Sequence, residues 1–437
     1  MRETPVIKLL MKLSPPVMLA LLIQSVYNIV DSYFISSYSE AGLTALSIIF
    51  PIQLLITALS TGTGSGINIM ISQMDGMGNR KSQGNVVKTG TFLGILNYAV
   101  FTLIGLVCLN QYYQVSSNQQ MVQEYGIQYG TIILLFSFGT FMEANFTKML
   151  QAKGNMLLPM AAQIIGAIIN VILDYILIFG KFGVHEMGIQ GAAIATVMGQ
   201  WVSMVITWIA VHRTTSHDGK FDWKIGMAIY RHGGPSIVMQ SLYTIYIVGL
   251  NLILKQFTED AVTVLGIYYK LQTFFFIPLM GLQQVILPVI SYNYGAKEQG
   301  RVKQILRCSI LFSGVFMLVG TMIFLAVPEQ LIGIFSRKEN LLLIGGHALR
   351  VISVSFVPAA MVMMFTVFFQ GVELGMHSIK ITVLRQIILL VPLAWLLHFG
   401  GLKLVWMTFP LTELIAGGYS LYLFYKCTKH ELTLTKV

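Results

Sequence analysis

Only 11% of the 437 residues are charged, against roughly 25% in an ordinary soluble domain, and 55% are hydrophobic. A water-soluble fold cannot cover its surface with so few charges, and the formal charge of +10 is spread over the whole chain rather than gathered into a nucleic-acid-binding face. The composition therefore predicts an all-α integral membrane protein. Apolar runs of about the 20 residues needed to cross a bilayer recur throughout, and runs such as 164–179 lack the alternation of a barrel strand.

About twelve spans are predicted. The first, 13–37, holds Pro16 and a polar stripe of Gln24, Tyr27, Asn28 and Asp31, whose spacing places all four on one helical face. The second is 47–73 and the third 86–109. The fourth, 126–150, carries Glu143 with Lys148 and Lys153 beyond it, and the fifth, 157–180, carries Asn170 and Asp174 one turn apart. The sixth, 189–212, opens on Gly191–Thr196. A polar joint, 213–233, separates this half from spans at 234–257, 262–291 with Lys270, 305–327, 346–371, 378–399 with Arg385, and 404–427 with Glu413. The expected organisation is thus an N-lobe over 1–212, a linker over 213–233 and a C-lobe over 234–437. The long first apolar run has no small-residue cleavage site, so it is expected to serve as both signal and first span.

Orientation follows from the cations. Twenty of the Lys and Arg fall on the termini and the even-to-odd joints, and six, Lys181, Lys255, Arg337, Lys338, Arg350 and Lys403, fall on the opposite face. Both termini are therefore expected in the cytoplasm of a multi-pass cell-membrane protein. Cys108 and Cys308 lie in spans and Cys427 at the cytoplasmic end of the last, so no disulfide is expected.

A shift of 219 residues superposes the halves: Pro16 on Pro235; Thr44, Leu46, Ile48 and Gln53 on Thr263, Leu265, Ile267 and Gln272; Gln151 on Gln370. With one slip in register, Ile71, Ser72 and Gly76 meet Ile290, Ser291 and Gly295, each followed by a Gln-Gly-x-Val. Two six-span halves running in the same direction form a parallel repeat, and repeat-built transporters hold substrate near the midplane. Transport is the expected function.

A charge at the centre of a span costs about 2.5–3.5 kcal/mol even on a lenient scale, so Asp31, Glu143, Asp174, Glu373 and Glu413 each need a reason. Asp31 and Asp174, with Asn170 and the hydroxyl of Thr196, suit a sodium ion, which takes several oxygens. They equally suit a proton, since desolvation and like-charge repulsion favour a neutral carboxyl group. Gln24, Tyr27, Asn28, Lys270 and Glu413 are candidate substrate contacts. Glu143 either pairs with the lysines that follow it or takes part in transport, and Glu373 belongs to a cytoplasmic joint. Lys270, Arg385 and Glu413 either pair with one another or meet substrate. At the 219-residue offset Asp31, Asn170 and Asp174 fall on Leu250, Leu389 and Leu393, which predicts an acidic apparatus confined to the first half. The 24 Met supply side chains that repack around varied shapes.

The run Tyr27–Asp31 after Pro16, the Asn170-x-x-x-Asp174 pair, Gly191–Thr196 and Pro288–Gly295 resemble the multidrug and toxic compound extrusion (MATE) transporters. The branch most resembled is that of the DNA-damage-inducible and staphylococcal-type multidrug exporters, and the likeness covers essentially the whole chain. It implies twelve helices in two six-helix lobes, and export of cationic amphipathic compounds against H+ or Na+ by alternating access. It also implies a cation site at Asp31, Asn170, Asp174 and Thr196, and a hinge at Pro16. Where other branches carry acids in spans seven and ten this chain has Gln240 and Gln370, so no second cation site is implied. The chain is expected to work as a monomer in lipid, on small amphipathic cations, with no cofactor beyond the coupling ion. The alternative is a flippase for lipid-linked oligosaccharides or polysaccharides, against which the scarcity of intramembrane Arg and Lys weighs; a receptor or channel stands further off. With no nucleotide loop, metal-ligand cluster or nucleophile constellation, an enzyme is not expected.

Overall fold

The computed structural model describes residues 3–79, 82–214 and 219–434. Arg2, Arg80, Lys81 and Lys436, four of the cations that set the expected orientation, and residues 215–218 of the expected joint lie outside them. Among the described residues the structure is helical and has no strand. The spans are α1 (Val6–Tyr38), α2 (Glu40–Gly76), α3 (Gln83–Ser116), α4 (Gln120–Phe136 and Phe138–Ala152), α5 (Leu157–Phe179), α6 (Gly188–Thr214), α7 (Trp223–Leu254), α8 (Glu259–Phe275 and Ile277–Gly295), α9 (Gln299–Ala326), α10 (Glu339–Ser353 and Phe356–Gly371), α11 (Gly375–His398) and α12 (Thr408–Leu434). Eight are long and apolar enough to cross a membrane as single helices, and α4, α8 and α10 qualify as bent pairs. α12 falls short on hydropathy because Glu413, two threonines, two glycines and several tyrosines interrupt its apolar run. α7 begins at Trp223, inside the stretch 213–233.

The bends of 45°, 51° and 48° lie in α4, α8 and α10; no proline stands at the α4 break, whereas Pro278 and Pro358 follow the α8 and α10 breaks within three residues and cannot give the N–H that would bridge them. A bend inside hydrocarbon releases backbone carbonyls that must find other donors. At the α4 break, Tyr98 and Thr102 of α3 donate to Leu135 and Leu134 at 2.7 and 2.9 Å, and Trp201 Nε1 of α6 donates to Phe136 at 3.0 Å. At the α10 break, Thr321 of α9 donates to Ser353 at 2.9 Å and Ser355 to Ile352 at 2.6 Å. Side-chain donors thus serve the freed carbonyls at the α4 and α10 breaks.

The helix ends use local chemistry. Ser39 caps α2 through Gly42 N–H, and Thr258 caps α8 through Ala261 N–H with Glu259 and Asp260 in the first turn, where the helix dipole favours acids. α5 ends on Gly180 at φ 63°, the left-handed cap that glycine adopts without strain.

The chain forms two compact units. The first gathers Pro15–Gln240 with Gly295–Lys297; the second gathers the segment ending at Ser14, Ser241–Tyr294 and the chain from Glu298 onward. α1 is thereby divided at Ser14 and α7 at Gln240, yet α1 runs as one helix through Pro15 and Pro16. In the first unit, Ile35, Ile49, Leu109, Tyr129, Ile133 and Ile178 meet in a core, and the buried Tyr113 donates to Ala45 O at 2.8 Å. Lipid is as apolar as leucine, so close packing and interhelical hydrogen bonds hold helices together in a bilayer. α5 and α6 pack closely in this way: a Cβ on Gly199 would stand 2.6 Å from Gly166 O. Outward faces such as Leu103, Ile104 and Val107 of α3 are exposed and apolar, as lipid contact requires.

Candidate functional site

In the first unit, α1, α4, α5 and α6 enclose a cavity of about 120 Å³ lined by Gln24, Tyr27, Glu143, Gln163, Asn170 and Thr196, among others. The polar stripe on α1 therefore divides. Gln24 and Tyr27 line the cavity, whereas Asn28 is exposed and lies outside it. Asp31, one turn further on, is half-buried and lies against Asp174 of α5, which is fully buried.

The contact of α5 with α6 brings the sequence-predicted residues together. Gly166 and Gly199 let the backbones approach, and Asn170 Nδ2 then reaches Thr196 Oγ1 at 3.4 Å. Four buried oxygens on this set, Asp31 Oδ1, Asn170 Oδ1 and both carboxylate oxygens of Asp174, have no hydrogen-bond partner among the described residues. Buried acceptors without partners cost roughly 1–3 kcal/mol each, more when charged. The arrangement is thus costly unless something positive joins it. Oxygens of this kind suit a small hard cation or a shared proton. No cluster of three or more His, Cys, Asp or Glu that could hold a metal occurs among the described residues, so the donor set is carboxylate, amide and hydroxyl oxygen.

Glu143 interacts with Lys148, as considered for it, and also turns to the cavity. Its Oε1 accepts from Thr147 Oγ1 at 2.7 Å and Gln163 Nε2 at 3.3 Å, and it lines the cavity. Lys148 Nζ reaches Gln151 Oε1 at 3.0 Å. Gln163 is the lining residue that sequence reasoning passed over, and the place of Glu143 on the cavity was left open. The signal was present: Glu143 follows Thr140, a second lining residue, by three positions and so shares its face.

The second unit revises another expectation. Glu413 is buried in α12 and accepts from Arg385 Nε of α11 at 2.6 Å, so buried acids are not confined to the first half. Lys270 takes no part in that pair. It is exposed on α8, 5.8 Å from the ring centre of Phe335, as a long chain carrying its charge away from apolar surroundings. Pro16 sits in α1 one residue past the division between units.

A MepA multidrug export protein of Staphylococcus aureus is 23% identical over 92% of this chain and 90% of its own. An FAD transporter of Shewanella oneidensis is 25% identical over 96% and 95%. The solved structure of a Vibrio cholerae MATE transporter variant superposes with a TM-score of 0.91 at 21% identity, covering 97% of each chain; its fold is that of twelve membrane helices in two lobes. The MatE family pattern matches twice, over residues 16–176 and 235–396, the starts 219 residues apart as the internal repeat requires. The chain is a multi-pass membrane transport protein and belongs to the MatE family.

Proposed function

We propose that this protein exports cationic or amphipathic small molecules across the cell membrane in exchange for H+ or Na+, working as a single chain with both termini in the cytoplasm. The observation that carries the reading is the facing of Asp31 and Asp174 with unpartnered oxygens beside Asn170 and Thr196. A membrane protein keeps such a cluster where a cation comes and goes. Gln24, Tyr27 and Glu143 extend it into a polar cavity. The export of drugs by MepA of Staphylococcus aureus supports the substrate class.

In this scheme the coupling cation enters from outside and neutralises the two carboxylates. α1, with its proline pair where the two units divide, changes its course, and substrate is released outward. One charge crossing the membrane is worth about 2.3 kcal/mol per 100 mV. A one-for-one swap of monovalent cations moves no net charge and draws on the ion gradient alone, while a two-cation exchange also draws on the potential.

Ethidium efflux from cells or vesicles under imposed proton or sodium gradients tests the scheme. Efflux should follow one gradient and be lost in Asp31→Asn at equal expression. Undiminished efflux in that variant would refute the coupling role of the pair.

A further inference from the structure

The second unit holds a cluster that the export scheme leaves unused. Arg385 sits in a π-helical stretch of α11, Leu384–Leu390, a geometry that recurs at functional sites in place of regular helix. Around it and Glu413 stand Tyr246 of α7 and Tyr268 of α8, with Tyr243 and Tyr269 completing a ring-to-ring chain at 5.3–6.3 Å. Glu413 Oε2 and the Oγ1 atoms of Thr408 and Thr412 on the same helix are buried without partners, as is Gln386 Oε1 beside Arg385.

The guanidinium is only partly used. Nε alone donates to Glu413, and among the described residues no hydrogen bond is made by the two terminal amino groups. The Arg385 side chain keeps 22% exposure against 9% for Glu413. An arginine in mid-span faces protein interior or a water-filled path rather than hydrocarbon. A guanidinium held by Nε, with its terminal amino groups open, is preset for two parallel bonds to a carboxylate or phosphate.

The repeat independently places this cluster. Shifting by 219 residues lays Tyr246 on Tyr27 and Arg385 on Gly166, both of which line the cavity of the first unit. Spans seven, eleven and twelve thus build here what spans one, five and six build there, with an arginine where the first half has glycine.

We propose that Arg385 forms a second ligand site that takes the carboxylate or phosphate group of an anionic or zwitterionic aromatic compound, the four tyrosines supplying the wall for its rings. The inference rests on the export reading in assuming that amphipathic compounds enter the protein, but it concerns binding alone.

Equilibrium binding to the purified full chain in detergent, followed by fluorescence anisotropy, tests it with two matched pairs. Rhodamine 110 and its methyl ester rhodamine 123 differ by a free carboxylate; flavin mononucleotide and riboflavin differ by a phosphate. The wild type should prefer the anionic member of at least one pair. A preference in the rhodamines alone assigns carboxylate, and one in the flavins alone assigns phosphate. Arg385→Gln should weaken the preferred anion about tenfold or more, the scale of one bidentate charge-assisted pair, and leave its uncharged or esterified partner unchanged. Glu413→Gln, which removes the negative charge that competes for the guanidinium, should tighten the anion, and it serves as the decisive variant if Arg385→Gln does not fold. Equal binding within both pairs, equal weakening of all four probes by Arg385→Gln, or an unchanged or weaker anion affinity in Glu413→Gln overturns the site. Because rhodamine 123 carries no anionic group, its failure to bind the wild type would instead count against the export reading, and failure of all four probes would sink both.

Discussion

Gly199→Ala should damage the cation site without touching any of its polar atoms. The alanine Cβ would stand 2.6 Å from the Gly166 carbonyl oxygen and 3.1 Å from Asn170 Cβ, where ordinary contact begins at 3.4 Å. A backbone carbonyl cannot rotate aside as a side chain does. The helices must therefore part by about 0.8 Å, at an overpacking cost of about 2 kcal/mol. The Asn170–Thr196 hydrogen bond already spans 3.4 Å, the outer limit for such a bond, so a separation of this size breaks it. Thermal unfolding in detergent at a fixed scan rate should show a midpoint lower by on the order of 4–8 °C for a unit of roughly 200 residues, and gradient-driven ethidium efflux should fall with it. Gly314→Ala in α9 is the control, since nothing lies within 4 Å of its added Cβ. There the gain in backbone order should leave the midpoint unchanged or raise it, by about 0.4–1 kcal/mol at most. Equal midpoints and equal efflux in the two variants would refute the claim that close packing of α5 on α6 positions the site.

Asp174→Asn replaces one of two facing, unpartnered carboxylates with a group that can donate to the other, so the midpoint should rise by a few degrees while efflux is lost, the trade of stability for function found at strained sites; a lower midpoint counts against the facing-carboxylate geometry. Trp201→Phe removes the donor that holds the Phe136 carbonyl at the α4 bend and should cost about 1 kcal/mol, read as a lower unfolding midpoint, with no loss expected if that carbonyl finds another partner. Orientation is open to labelling in a chain whose Cys108, Cys308 and Cys427 are changed to serine: Val115→Cys, exposed at the end of α3, should react with a membrane-impermeant maleimide on intact cells. Met77→Cys, exposed after α2, should react only once the cells are opened, and the reverse pattern would invert the topology.

Hydropathy and charge made the twelve spans legible because the bilayer imposes one length and one solvent on all of them, and polar matches at a single offset made the repeat legible. Asp31 and Asp174 stood out because an ionisable group in hydrocarbon is rare enough to be noticed singly, and Asn170 and Thr196 as the polar groups one turn from Asp174 and at the start of span six. What escaped was set by pairing between helices. Nothing in the run around Ser137 marks a bend, since both halves of α4 are apolar and the kink is held by Tyr98, Thr102 and Trp201 from other spans. Glu143 was read against the lysines that follow it in sequence, and beside Lys148 it also meets Thr147 and Gln163, the last of them on another helix. The pairing of Arg385 with Glu413, one of the two readings open in sequence, is found, without Lys270, where the π-helical stretch of α11 packs on α12.

That pair also changes what the repeat means. At strict offset, Asp31 and Asp174 fall on leucines, which suggested a second half emptied of charge. The structure instead places a half-buried arginine on span eleven, the counterpart of the span that carries Asp174, and a buried glutamate on span twelve, the counterpart of the span that carries Thr196. A duplicated helix trio has kept a polar interior in both copies while its net charge has diverged, acidic in the first and balanced in the second. A transporter divided in this way can hold a cation in one half without repelling an oxyanion from the other, which a symmetric acidic pair of sites could not do.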